Sequence, residues 1–149
     1  MKIRRIGYEN FRTFKERGNI YFSTDGKVNI IYGGNGAGKT TLHQLFQWVF
    51  YNTTSFNKSS SDKLYNLEYE SEQAINSTFS VIGDIEFEHE GRLYLLRREW
   101  QYQKKLSASV NINQRVTLSY KTDDYDWERV PGDSSTFIEK VLNPPAIAI

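Results

Sequence analysis

Cysteine is absent from this chain, so it has no disulfide framework and no thiolate metal site. Histidine is almost as scarce: His43 and His89 are the only two, far apart in sequence, and nothing pairs them as metal ligands. An excess of charge of either sign is missing too, with 19 Lys and Arg against 18 Asp and Glu and a net charge of +1. No global field therefore argues for nucleic acid, and any such surface must be local. The apolar runs are only a few residues long, far short of the ~20 that cross a bilayer. Met1 opens directly into a strand-like segment with no signal-peptide core. The expectation is a cytoplasmic protein without a membrane anchor, for which the sequons at Asn52, Asn57 and Asn76 mean little.

What is present is ordinary in bulk and specific in detail. The 149 residues make one domain or a large piece of one, with 38% hydrophobic and 25% charged residues, as in soluble globular proteins. An aromatic share of 15% favours strands. Residues 2–9 read as a first strand, Asn10–Phe14 as a turn and Gly18–Ser23 as a second strand. Asp25-Gly26 signals a tight hairpin, and Val28–Tyr32 is a short apolar run of the kind covered on both faces. After the glycine loop the period changes. Leu42, Leu45, Phe46, Val49 and Phe50 form one helical stripe that fades near Asn52, with Trp48 on a second packing face. The polar, Ser-rich stretch 53–63 is a loop, and 64–76 is a candidate short helix.

From Thr78 the chain turns to strands. Phe79, Val81, Gly83, Ile85 and Phe87 share one face, with Ser80, Asp84, Glu86 and Glu88 on the other. His89-Glu90-Gly91 turns into Arg92–Arg98, and two further alternations follow, Leu106 to Ile112 and Val116 to Tyr120. The pattern predicts a four-stranded antiparallel meander with one face in water. A last helix is expected near Thr136, with Thr136 and Glu139 as a capping box and Pro144-Pro145 as its stop.

Gly33-Gly34-Asn35-Gly36-Ala37-Gly38-Lys39-Thr40 matches the P-loop pattern in full, between a buried-type strand and an amphipathic helix. Each fixed position answers a need of a bound triphosphate. Gly36 and Gly38 let backbone N–H groups wrap closely around anionic oxygens, where a Cβ would collide. Lys39 brings a point charge to the β- and γ-phosphates, and the Thr40 hydroxyl is a ligand for Mg²⁺. The helix beginning there adds unpaired N–H groups and its positive dipole end. The motif implies Mg-ATP held by Asn35, Gly36, Ala37, Gly38, Lys39, Thr40 and Thr41. Hydrolysis also requires a carboxylate on a second strand and a group that positions water. The nearest match, Val81-Ile82-Gly83-Asp84, is broken by Gly83 and puts Asp84 on the polar face. No LSGGQ-like segment lies between Thr41 and Ile149. The nucleotide site is half-built.

The strand ending in Asn10-Phe11-Arg12-Thr13-Phe14, the hairpin, GGNGAGKTTL, the helix TLHQLFQWVFYN and the pair IEFEHEGRLYLLRREW together resemble the start of SMC-like ABC ATPases of the RecF, SbcC and DndD kind. The resemblance covers residues 1–100 well and the rest loosely. It implies an α/β fold, the N-terminal lobe of a P-loop NTPase head of the ABC/SMC type, with a sheet around the P-loop helix plus an antiparallel meander. In that family a coiled coil separates this lobe from a C-terminal lobe bearing the signature and the catalytic carboxylates, and two heads sandwich two ATP molecules. The implied partners are a C-terminal lobe of the same ATPase, a second head, DNA and a nuclease; the implied work is repair, chromosome handling or defence against foreign DNA. By resemblance Arg12 reaches the nucleotide phosphates, although a surface charge remains the plain alternative. Asn35 either touches the γ-phosphate or only shapes the loop. The pairs Arg4-Arg5, Arg97-Arg98 and Lys104-Lys105 are either a DNA-facing surface or ordinary solvated strand faces. The family's Q-loop glutamine has no secure counterpart. Two other readings differ in class: a non-hydrolysing nucleotide-binding module that controls a partner, and a transporter nucleotide-binding subunit, whose signature motif is missing.

Overall fold

The computed structural model describes residues 1–23, 38–54 and 63–139. Six strands and three helices follow one another in them: β1 (Lys2–Glu9), β2 (Gly18–Tyr21), α1 (Lys39–Tyr51), α2 (Leu67–Ser71), β3 (Thr78–His89), β4 (Arg92–Lys104), β5 (Ser109–Lys121), β6 (Trp127–Arg129) and α3 (Ser134–Phe137). The strands form one antiparallel sheet in the order β2-β1-β3-β4-β5-β6. The expected hairpin at Asp25-Gly26, the strand Val28–Tyr32 and the stop at Pro144-Pro145 lie outside the described residues.

Alternation fixes which face of the sheet is the core. In β3 and β4 the pairs Phe79–Tyr102, Val81–Trp100, Gly83–Arg98, Ile85–Leu96 and Phe87–Tyr94 stand opposite one another, and all are buried. One row, Ile6–Ile85–Leu96–Leu118, crosses four strands in register with every member fully buried. This face receives α1, whose predicted stripe of Leu42, Leu45, Phe46, Val49 and Phe50 is buried throughout. Trp48 is fully buried as well, stacked on Phe11 at 5.3 Å and edge-on to Trp100 at 6.2 Å, so it is a packing residue as expected. Gly83 marks a close approach of helix and sheet. A Cβ there would lie 2.6 Å from Val49 Cγ2 and 3.0 Å from both Leu45 Cδ1 and Trp48 Cζ3.

Several sequence expectations need correction. The polar face of β3 is not uniformly wet: Asp84 is buried, with Arg5 at 2.5 Å and Arg17 at 3.0 Å. Gly7 makes room for that cluster, since a Cβ on it would meet Arg5, Asp84 and Asn19 within 3 Å. The alternations at 106–112 and 116–120 are one strand, not two: β5 is continuous, Leu106 and Ala108 sit in the turn before or at its start, and Val110 and Ile112 are exposed. β3 and β4 continue in register beside this part of β5, which β6 does not reach, and Ile112 falls at a register shift between Gln101 and Tyr102, so the alternating apolar residues of β5 mimic a core strand while standing exposed. β4 accordingly runs on to Lys104 to pair with it. The last helix starts at Ser134, capped by Asp133 Oδ1 accepting from Ser135 N, so Thr136 and Glu139 form no capping box. Asp133 reaches the N–H groups first.

Candidate functional site

Helix α1 begins where the glycine loop ends. Gly38 is its N-cap in the left-handed region, φ 94°, and the Leu42 amide donates to Gly38 O at 2.8 Å. The N–H groups of Lys39, Thr40 and Thr41 therefore precede the first intrahelical bond. No side chain caps this end and no acidic residue occupies the first turn. The helix's own cap and first turn thus set no acid against the positive end of its dipole, which suits an incoming anion. Lys39 is half-buried and Thr40 is exposed, whereas Thr41 is buried with its hydroxyl 2.6 Å from Thr13 Oγ1. The Thr41 side chain is therefore occupied by the protein, and its backbone N–H is what it can offer a ligand. Asn35, Gly36 and Ala37, like Gly33 and Gly34, lie outside the described residues.

The turn after β1 lies directly against this helix end. Phe14 stacks on Tyr8 at 4.3 Å, and its ring stands where a Cβ on Gly38 would go, 2.7 Å from Phe14 Cε1. Phe11 is buried against Trp48, and Phe11 and Phe14 exchange backbone hydrogen bonds of 2.8 Å. Between them Arg12 sits at φ 48°, with Asn10 at φ 52°. The Arg12 amide donates to Leu64 O at 2.7 Å, and its carbonyl accepts from Asn66 Nδ2 at 2.7 Å. Burial pulls the Arg12 guanidinium below its usual pKa. The turn that carries Arg12 thus meets the start of α1 at Gly38 through Phe14 and at Thr41 through Thr13. Thr13, Phe14 and Asn66 were not foreseen. The signal for Asn66 was present: an Asn just before Leu67-Glu68-Tyr69-Glu70 is an N-cap in front of an acidic first turn.

Comparison with known families follows from this geometry. A family model described as an AAA domain matches residues 5–140. The chain belongs to that family. A solved structure from work on ATP-driven dimerization and DNA-stimulated activation of SMC ATPases superposes on this AAA domain with a TM-score of 0.59 at 16% identity. The match covers 96% of this chain and 78% of that one. The fold is accordingly that of a P-loop NTPase head of the SMC type, here its N-terminal lobe. No curated protein matches.

The remaining charged residues of this AAA domain serve mostly the fold. Arg4 pairs with Glu88, and Arg5 with Asp84 and Glu86. Burial works against the charge on Arg5, but Asp84 and then Glu86 outweigh it and raise its pKa. Arg97 lies 3.7 Å from Glu99, Lys104 bonds to the carbonyls of Glu70 and Ser71, and Lys105 reaches Asn76. Arg98 is buried on the core face and donates Nε and Nη2 to Val49 O at 3.1 and 3.0 Å, near the C-terminal end of α1. Burial lowers its pKa to about 10. Of the three basic pairs, Arg4, Arg5 and Arg97 are thus matched by acids and Arg98 and Lys104 by carbonyls, while Lys105 is exposed beside Asn76. Asp84, the nearest candidate for a second-strand carboxylate, points away from α1 into its arginine cluster. Among the described residues no group of three His, Cys, Asp or Glu could hold a metal, and no helix is long and apolar enough to cross a membrane.

Proposed function

We propose that this chain binds Mg-ATP through Asn35–Thr41 with Arg12 as a further phosphate ligand, as the N-terminal half of an SMC-type ATPase acting on DNA. The observation that carries the reading is the start of α1. A complete P-loop sequence feeds a helix whose first turn has neither cap nor acid, with the Arg12 turn packed against it. The residues fit the group they would receive: Lys39 supplies charge to the phosphates and the exposed Thr40 hydroxyl is a hard oxygen ligand suited to Mg²⁺. The metal would neutralise phosphate charge during transfer.

Hydrolysis belongs to the assembled head. A C-terminal lobe and head-to-head pairing supply what the described residues lack, namely a carboxylate directed at the metal. That same lack favours a second reading, a nucleotide-binding module that regulates a partner such as a nuclease without turnover. Calorimetric titration of Mg-ATP into the wild type, Lys39→Ala and Thr40→Ala, beside circular dichroism melts, tests the site. Binding is lost in both variants with the melts unchanged. Undiminished affinity in both removes the P-loop assignment.

A further inference from the structure

The turn that carries Arg12 is held in an unusual backbone conformation. Asn10 and Arg12 both adopt left-handed angles, φ 52° and 48°. Asn tolerates that region because its side chain can bond locally; a long side chain such as Arg does so at a cost, and stays only where its surroundings hold it. A short stretch of chain, residues 64–66, is part of those surroundings. Both backbone groups of Arg12 are bonded to it, the N–H to Leu64 O and the C=O to Asn66 Nδ2, each at 2.7 Å.

Asn66 is bonded at every group. Its N–H donates to Asn10 Oδ1 at 2.9 Å, its Oδ1 accepts from Tyr69 N at 2.9 Å to cap α2, and its C=O accepts from Glu70 N at 3.0 Å. Asn10, itself fully buried, ties the same knot to the sheet through Ser80 O at 3.1 Å. The stretch is well anchored from behind. Leu64 is fully buried, and Tyr65 packs edge-on to Phe79 and Tyr102. Lys15 adds a second fastening one turn away, reaching Glu68 at 3.0 Å and Glu72 at 2.6 Å. On its other side the turn presses on Gly38 through Phe14 and on Thr41 through Thr13.

We propose that Asn66 is a positioning residue for nucleotide binding: its side-chain amide fixes the backbone of Arg12 in the left-handed turn that sets the arginine beside the start of α1. The inference rests on the reading of Arg12 as a phosphate ligand. It makes the segment from Leu64 to Glu72, which contains no P-loop residue, part of the nucleotide site.

Asn66→Ser is the discriminating variant. Serine caps a helix as well as asparagine does but is too short to bond the Arg12 carbonyl while capping. In the full chain, Asn66→Ser lowers Mg-ATP affinity by about tenfold, and adds nothing in an Arg12→Ala background, as expected for two residues acting as one unit. An equal loss in both backgrounds, or no loss in the wild-type background, overturns the proposal. A second measurement needs no nucleotide. Phenylglyoxal modification of Arg12, followed by peptide mass spectrometry, runs faster in Asn66→Ser than in the wild type; an unchanged rate overturns the proposal. Should Arg12→Ala leave affinity intact, the phosphate role falls, while a faster modification rate still upholds the positioning of Arg12 by Asn66. Asn66→Asp, which also caps and has no donor for the Arg12 carbonyl, repeats the series if the serine variant melts early.

Discussion

Arg12 and Arg98 show how differently one side-chain type is used within a single chain. Arg12 stands half-buried in the turn packed against the start of α1, where burial lowers its pKa. Arg12→Ala weakens Mg-ATP binding by one charge-assisted bond, about 1.5–3 kcal/mol or one to two decades. The loss is smaller than that of Lys39→Ala, and titration of both variants checks the order. Arg98 instead closes the end of α1 by bonding a buried carbonyl, Val49 O. Arg98→Met leaves that carbonyl without this donor and costs about 1–3 kcal/mol of stability, read from urea unfolding. Its folded pKa of about 10 lies below the ordinary arginine value, so the cost of burying the charge is fully present below about 10 and fades only as pH rises above that. The stability difference between Arg98→Met and the wild type is consequently flat from pH 6 to 9.

At the level of elements, periodicity was readable wherever one layer covers another. The stripe of α1, the inward face of β3 and the end of the helix at Asn52 all follow from spacing alone, and Asn52 takes the left-handed C-cap that the fading pattern implied. Legibility failed where pattern and burial part company. Val110 and Ile112 alternate like core residues on an uncovered ribbon, and the three-residue β6 is too short to carry a period. Asp84 is polar in sequence yet buried, because its partners Arg5 and Arg17 come from distant positions in the chain. Gly83 looked like a break in a strand motif and is instead the saddle on which α1 sits. Gly83→Ala forces Val49, Leu45 and Trp48 outward and destabilises the fold by about 1–3 kcal/mol. A lowered thermal midpoint with altered Trp fluorescence reports it; an unchanged midpoint and spectrum show that α1 does not press on this strand.

For the whole molecule, half of the proposed site was legible because the P-loop is a local motif: its chemistry is written in consecutive residues. The other half, the Arg12 turn held by residues 64–66, is assembled from segments some fifty positions apart, and no window of sequence displays it. The acidic partners of Arg4 and Arg5 likewise lie across strands rather than beside them in sequence, which is why the sequence left the role of these basic residues open. An AAA domain of the SMC-head fold that carries a P-loop sequence and has no metal-directed carboxylate among its described residues is expected to turn over ATP only in company. This chain alone releases phosphate at the background rate. Co-expression with a matching C-terminal lobe gives ATP-dependent dimers by sedimentation, and DNA stimulates turnover in that assembly. Robust turnover by the isolated chain, lost in Lys39→Ala, would show that a catalytic group lies within it.

The order of the sheet has a kinetic consequence. Strands β3, β4 and β5 join through short turns, but β1 pairs with β3 across most of the chain, Lys2 opposite Glu88 and Glu9 opposite Ile82. Among the described strand pairs that seam has the costliest loop closure, so it is expected to form late and open early. Amide hydrogen exchange is expected to be faster along β1 than along the β3–β4 ladder. Arg12 hangs from the β1 side of the seam, whereas Lys39 opens the helix that lies on β3 and β4. A triphosphate gripped by both would span the seam like a rivet, slowing exchange in β1 far from any atom it touches.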